Sequence, residues 1–292
     1  MNILRNISLV ALFAVCGCIS AAAQPAEKQT LVYGDTTRTY RMYLPQGIRQ
    51  GAPLVVYTHG YGDKHRWLDD LNRVADKSGF AICYPDGAPD DLGVEGWFVG
   101  YPPQWHMPKN EEDFFEALLD EVCKKYNLSR SDVFMAGMSN GGDLCYQLAY
   151  TRPELFKAYA SVAGLTFEWM YNERHLTEPV HFLEIHGNAD TVSMWQGDYE
   201  NTGGWGAYIP VPLAVSAIAA NNRCTTMSME TFPALSDSSR MVIHTTYGTA
   251  PSGKDVEVYE VQGAPHCWHE KDLPTAEIIW QFFRKTLTPE ER

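Results

Sequence analysis

The 292 residues are 45% hydrophobic and 20% charged, a balance that suits one globular domain of α/β size with a large buried core. With 36 acidic against 23 basic side chains, the formal net charge is −13. Such a surface repels phosphate backbones and anionic membranes, which argues against nucleic-acid binding and leaves neutral or weakly charged substrates.

Taken in chain order, residues 1–23 carry one charge, Arg5, then an apolar run from Ile7 to Ile19 and a small-residue stretch ending at Ala23. This reads as a secretory signal cleaved after Ala23, too short and wrongly flanked for a stable membrane span. A lipoprotein route is a second reading, since Val15-Cys16-Gly17-Cys18 resembles a box with Cys18 as the lipidated residue. The mature segment 24–292 then reads as one domain, secreted or periplasmic. It opens with a predicted hairpin (TLVYG, TYRMYLP), followed by a strand at PLVVYTHG, a helix from about Trp67 to Ser78 and a strand at GFAICYP. A long irregular stretch from Asp86 to Asn110 follows, rich in aromatics that include Trp97 and Trp105. The next helix, from about Glu111 to Tyr126, sets Phe114, Leu118, Val122 and Tyr126 on one stripe.

The run VFMAGMSNGG comes next and places Ser139 between Gly137 and Gly141, with a helix predicted from Asn140 to about Thr151. Strands at KAYASVAG and VHFLEIHG lead to a second irregular stretch, Asp190 to Pro210, which carries Trp195 and Trp205. A helix from about Val211 to Asn221, strands near Met241–Tyr247 and at VEVYEV, and a last helix from Ala276 to Leu287 complete the pattern. Strands alternating with helices imply right-handed crossovers onto a mostly parallel sheet covered on both faces, with reactive groups gathered at the carboxyl ends of the strands. Loops as long as the two aromatic stretches are functional when they are not disordered, and their aromatic content argues against disorder.

The chemistry centres on Ser139. Glycines two before and two after a serine, at a strand-to-helix junction, form a nucleophile elbow: the turn is too tight for side chains at either glycine. A serine hydroxyl needs a base to take its proton, and the base needs an acid to fix its tautomer. The chain supplies both downstream in the order serine, acid, histidine: Asp190 at the end of FLEIHGNAD and His266 in the Gly263-Ala-Pro-His266 turn. His269 is the rival base, and Glu184 and Asp198 the rival acids. His186 and His244 lie within strands. Oxyanion donors would be the backbone N–H of Asn140, next to the nucleophile, and that of Tyr61 in THGYGD, with His59 as a packed strand-end residue. A metal reading of His266, Cys267, His269 and Glu270 lacks a second ligand cluster of matching spacing, so no metal is expected. Five cysteines follow Ala23, and the odd number leaves at least one unpaired. Cys83, Cys123 and Cys145 read as buried thiols, and Cys224 and Cys267, in loop-like surroundings, as the disulfide pair.

THGYGD, YPDG, the block DFFEALLDEVCKKYNLSRSDVFMAGMSNGGDLCYQLAYTRPELF, IHGNAD and GAPHCW together resemble the polyhydroxybutyrate depolymerase-like and feruloyl esterase group, carbohydrate esterase family 1 of the α/β-hydrolases. The resemblance runs from about Tyr40 to the last helix. It implies a three-layer α/β-hydrolase fold and a serine esterase with Ser139 as nucleophile, Asp190 as acid, His266 as base and Tyr61 and Asn140 as oxyanion donors, with no cofactor. The substrate it suggests is a feruloyl or acetyl ester on plant polysaccharide such as xylan, with hydroxyalkanoate esters as the alternative. A secreted peptidase or a non-catalytic carbohydrate-binding protein are more distant readings. Trp97, Trp105, Trp195 and Trp205 are the candidate substrate-binding aromatics. Many relatives pair the cysteine at Cys224 with one after TTYG, where this chain has Thr249-Ala-Pro, so that disulfide is absent or rerouted here.

Overall fold

A computed structural model describes residues 27–63, 67–173 and 175–288. The leader expected over 1–23 lies outside the described residues. Ten strands form one sheet: β1 (Gln29–Tyr33), β2 (Thr36–Tyr43), β3 (Ala52–Thr58), β4 (Ala81–Pro85), β7 (Leu128–Met138), β8 (Ala158–Val162), β9 (His181–Gly187), β10 (Thr226–Pro233), β11 (Met241–Gly248) and β12 (Val256–Val261). Two short antiparallel strands, β5 (Ala88–Pro89) and β6 (Glu95–Gly96), make a small separate ribbon. The sheet order is β1-β2-β4-β3-β7-β8-β9-β12-β11-β10. From β4 to β12 every neighbouring pair is parallel, and the β1-β2 and β11-β10 ends add antiparallel strands.

The central strands β3, β4 and β8 are buried along their whole length, as a sheet covered on both faces requires. Their side chains alternate between two cores. Leu54 and Val56 face one with Phe114, Leu118 and Leu144, while Val55 and Tyr57 face the other with Leu71, Trp280 and Phe283. The first core is roofed by α2 (Glu111–Tyr126), α3 (Asn140–Thr151) and α5 (Val211–Asn221), the second by α1 (Asp69–Ser78) and α6 (Thr275–Arg284). The result is the three-layer α/β sandwich that the alternation of patterns implied. α2 shows why these segments are helical: Glu111, Glu112 and Asp113 fill its first turn, Lys124 and Lys125 its last, and Asn127 closes it at φ 54.

Several elements differ from the sequence reading. α1 starts at Asp69 rather than Trp67, whose ring instead packs on Tyr43 and Tyr84. α6 ends at Arg284, three residues short of Leu287. β10 was not anticipated because it is an outer strand exposed almost throughout, so it shows no buried face to read. The short helix α4 (Glu168–Glu173) and the 3-10 turn Pro102–Gln104 were also missed. Among the described residues no helix is long and apolar enough to cross a membrane.

Candidate active site

β7 ends at Met138 and α3 begins at Asn140, so Ser139 is the single residue that turns strand into helix. Its backbone stands at φ 54, ψ −121, a strained conformation for a residue with a side chain. The flanking glycines are required by contact, not by φ. A Cβ on Gly137 would lie 2.2 Å from the Gly141 carbonyl oxygen, and one on Gly141 would lie 2.1 Å from that of Thr58.

Thr58 ends β3 and leads into the turn expected to supply an oxyanion donor. A Cβ on Gly60 would come 3.4 Å from Ser139 Cβ and 3.9 Å from its Oγ, so this turn runs alongside the nucleophile candidate. The Gly62 and Asp63 amides are used by the carbonyls of Glu95 and Gly60, which shapes the turn around Tyr61. The Tyr61 hydroxyl donates to Asp90. Asn140, at the first position of α3, has a backbone N–H that no helical carbonyl can take. Its side chain is tied to Trp97 at both ends: Oδ1 accepts from Trp97 N–H at 2.7 Å, and Nδ2 donates to the Trp97 carbonyl at 3.1 Å. His59 is the packed residue it was read as, with Nδ1 donating to the Gly60 carbonyl and Nε2 accepting the Gly87 amide.

Asp190 and His266 are brought together. His266 Nδ1 donates to Asp190 Oδ2 at 2.6 Å, while Asp190 Oδ1 accepts the amides of Val192 and Ser193. Burial pushes the Asp190 carboxyl up, but the His266 bond and charge and the two amides outweigh it and hold the group below its ordinary range. The loops carrying the pair are stitched to each other. Asn188 N–H donates to Val261, Ala189 N–H to Ala264, and Gly263 N–H to Asn188 Oδ1. Trp268 packs edge-on against Tyr57 and so ties the histidine loop to the end of β3. No hydrogen bond joins Ser139 Oγ to His266 among the described residues. The acid side of this constellation is closed and the serine side open, a common state before substrate enters.

Two buried groups beside these residues have roles that the sequence reading did not assign. Glu184 and His186, on β9, are fully buried, with Glu184 Oε1 2.9 Å from His186 Nδ1. His186 Nε2 donates to the Ser193 carbonyl at 2.8 Å and lies 3.6 Å from Asp190 Oδ2. This pair pins the turn that holds Asp190. Burial raises Glu184 above the usual carboxylate range, and Glu184 in turn holds His186 above its ordinary value against its own burial. Asp143 accepts the Tyr101 hydroxyl at 2.5 Å and the Leu165 amide at 2.6 Å, and burial drives it up to about 8. The available signal was a charged residue inside an otherwise apolar strand or helix: Glu184 in FLEIHG, Asp143 in α3.

The rival assignments resolve differently. Glu184 pairs with His186 rather than His266, and Asp198 is consumed by Thr202 and Gly203 amides as the organiser of its own loop. His244 bonds Glu257. His269 is buried at φ 63 with Nδ1 facing Cys267 Sγ at 3.4 Å. Cys267, His269 and Asp272, not Glu270, bring ligating atoms within 4.8 Å of one another, and Arg240 already pairs with that carboxylate. Cys224 and Cys267 are both free thiols, which corrects the expected disulfide; loop placement brought neither near the other, and Cys224 Sγ instead faces the Lys254 carbonyl.

The four tryptophans separate. Trp97 is fully buried, with Nε1 donating to the His59 carbonyl, so it offers no face to a substrate and its assignment is corrected. Trp205 packs on Tyr61 and Tyr101, and Trp195 on His186, both on the side of the site. Trp105 is 70% exposed and lines a different cleft.

Residues 38–178 match the family model described as esterase PHB depolymerase. NocK of Nocardia uniformis subsp. tsuyamanensis, a protein named as an esterase, is 28% identical over 271 residues, 87% of this chain and 77% of its own. Feruloyl esterase B of Neurospora crassa is 29% identical over 47% of this chain, which spans about half of that protein (48%). Among solved structures, an acetyl xylan esterase from Aspergillus awamori superposes with a TM-score of 0.56 at 15% identity, covering 89% of this chain and 99% of its own, a likeness of fold.

Proposed function

We propose that this carboxylic ester hydrolase of the α/β-hydrolase fold, with an esterase PHB depolymerase match over residues 38–178, cleaves feruloyl or acetyl esters on plant polysaccharide through a serine triad. The observation that carries the mechanism is the strained elbow at Ser139 facing the Gly60–Tyr61 turn, together with the 2.6 Å bond between His266 and Asp190. Ser139 Oγ attacks the ester carbonyl as His266 takes its proton. Asp190 holds the imidazole in the tautomer with Nδ1 protonated, leaving Nε2 to act as base. The amides of Asn140 and Tyr61 take the negative charge that develops on the carbonyl oxygen. Collapse expels the alcohol, protonated by His266, and leaves an acyl group on Ser139; His266 then activates water to release it. No step draws on a metal or organic cofactor.

The polysaccharide substrate is supported by the names of the feruloyl and acetylxylan esterase relatives, and export by the leader-like segment 1–23. The test compares purified enzyme on methyl ferulate, acetylated xylan and hydroxybutyrate oligomers. Preference for either of the first two supports the assignment, and equal or greater rates on the polyester refute it. Ser139→Ala should lower turnover of p-nitrophenyl acetate by on the order of 10⁴ to 10⁶. Unchanged turnover in that variant would refute the mechanism itself.

A further inference from the structure

A cleft of about 540 Å³ lies between the loop that follows β6, the later turns of α3, and α4, lined by Phe98, Tyr101, Trp105, Gln147, Thr151 and Trp169. Ser139 is not among its lining residues. Gln147 and Thr151 stand eight and twelve residues beyond Ser139, about 12 and 18 Å along the helix axis at the usual rise. An acyl group on Ser139 cannot reach that far, but the chain that carries the ester can. Tyr101 stands at the boundary, lining the cleft while its ring lies 5.6 Å from that of Tyr61.

We propose that this cleft is a glycan subsite that takes a neutral sugar unit of the ester-bearing polysaccharide, with Trp105 as its stacking face. The inference rests on the polysaccharide reading and adds a binding site to it. Trp105 is 70% exposed, whereas Trp169 is fixed by donation of its Nε1 to the Val99 carbonyl at 3.2 Å, so one indole is free to cover a ligand and the other is a set wall. Gln147 is only 5% exposed, and among the described residues its Oε1 and the Thr151 Oγ1 are buried without a hydrogen-bond partner. Buried polar atoms in that state call for a donor. Sugar hydroxyls are donors and acceptors together; a hydroxyalkanoate polyester offers carbonyl acceptors along its length and cannot satisfy Gln147 Oε1. Lys109, set over the Phe98 ring at 5.3 Å, is outnumbered in the lining by Glu112 and Glu173, which disfavours an acidic sugar.

The experiment titrates full-length Ser139→Ala protein with unesterified xylohexaose and, separately, with a hydroxybutyrate trimer, read by calorimetry. The expected result is saturable binding of xylohexaose but not of the polyester. Adding Trp105→Ala should weaken binding about tenfold or more, the worth of one stacked ring with its buried area, and Trp105→Tyr should retain most of it. Gln147→Leu, which removes the unpaired acceptor at similar volume, should weaken binding while preserving the melting temperature. Absence of xylohexaose binding, equal binding by the Trp105→Ala form, or preference for the polyester trimer overturns the subsite. Because binding is read without turnover, a protein that binds xylohexaose yet leaves acetylated xylan intact keeps the subsite and loses the substrate assignment. One that cleaves acetylated xylan without binding xylohexaose does the reverse.

Discussion

Alanine at Gly141 would add one methyl group where the carbonyl of Thr58 already stands. The added Cβ would meet that oxygen at 2.1 Å, and ordinary contact begins at 3.4 Å, so 3.4 less 2.1 leaves 1.3 Å that backbone must yield. Neither side gives readily, because Thr58 ends a fully buried strand and Gly141 lies in the first turn of a helix buried from Asn140 to Tyr150. Overpacking of this kind costs about 3 kcal/mol, which for a domain of this size lowers the melting temperature by roughly 6 to 12 °C. The larger effect falls on turnover. Displacing Thr58 moves the Gly60–Tyr61 turn relative to Ser139, and a misplacement near 1 Å lowers rate about 100-fold. Gly79→Ala is the control: it also strains the backbone, at φ 74, but meets nothing within 4 Å and lies at the end of α1, so it should cost about 1 kcal/mol and leave kcat alone. Steady-state hydrolysis of p-nitrophenyl acetate and thermal denaturation of both variants give the comparison. If Gly141→Ala keeps kcat within twofold of the parent, the steric account of the elbow is wrong.

Asp190→Asn should leave the fold intact and reduce kcat by about 10⁴, because an amide no longer selects the His266 tautomer; a loss below tenfold would remove Asp190 from the mechanism. His186→Gln should lower kcat roughly 10- to 100-fold with KM little changed, since a buried bond to Ser193 is lost and the Asp190 turn loosens; a pure KM effect would place His186 in substrate binding instead. Burial depresses His269 from 6.5 to about 4, so the folded protein resists its protonation while the unfolded chain does not. Stability from this group is therefore complete above pH 6.5 and declines as pH falls towards 4, by about 3 kcal/mol in all. Urea unfolding of parent and His269→Gln between pH 7 and 4 should converge as pH falls, and parallel curves would refute the assignment.

The parallel strands and the helices α2, α3 and α5 were legible because burial on both faces or on one stripe leaves an apolar run or a 3.6-residue period in the chain. β10 left no such trace, since Thr226–Pro233 faces solvent almost throughout. The placement of Ser139, Asp190 and His266 just beyond strand ends was legible from the apolar runs that precede them. Glu184 and His186 were not recognised as a pair, because Glu184 was weighed only as a rival acid and His186 only as a strand residue. Trp97 misled for a similar reason: loop aromatics look available, and only Asn140 and His59, distant in sequence, reveal that this one is locked inside. The Cys224 and Cys267 thiols show the same limit, as shared loop character carries no information about separation.

β7, which presents Ser139, and β12, which precedes His266, are not neighbours: β8 and β9 stand between them. Three interstrand spacings amount to about 14 Å, so the sheet acts as a ruler and the Gly263–His266 turn is the part that spans what the ruler leaves. Inserting or deleting a strand inside that interval would alter the gap by about 4.8 Å, more than a change of rotamer recovers. The outer strands β1 and β10 lie beyond both ends of the interval and do not enter the measurement. By this measure an added strand is tolerable at the margins of the sheet and not between Ser139 and His266.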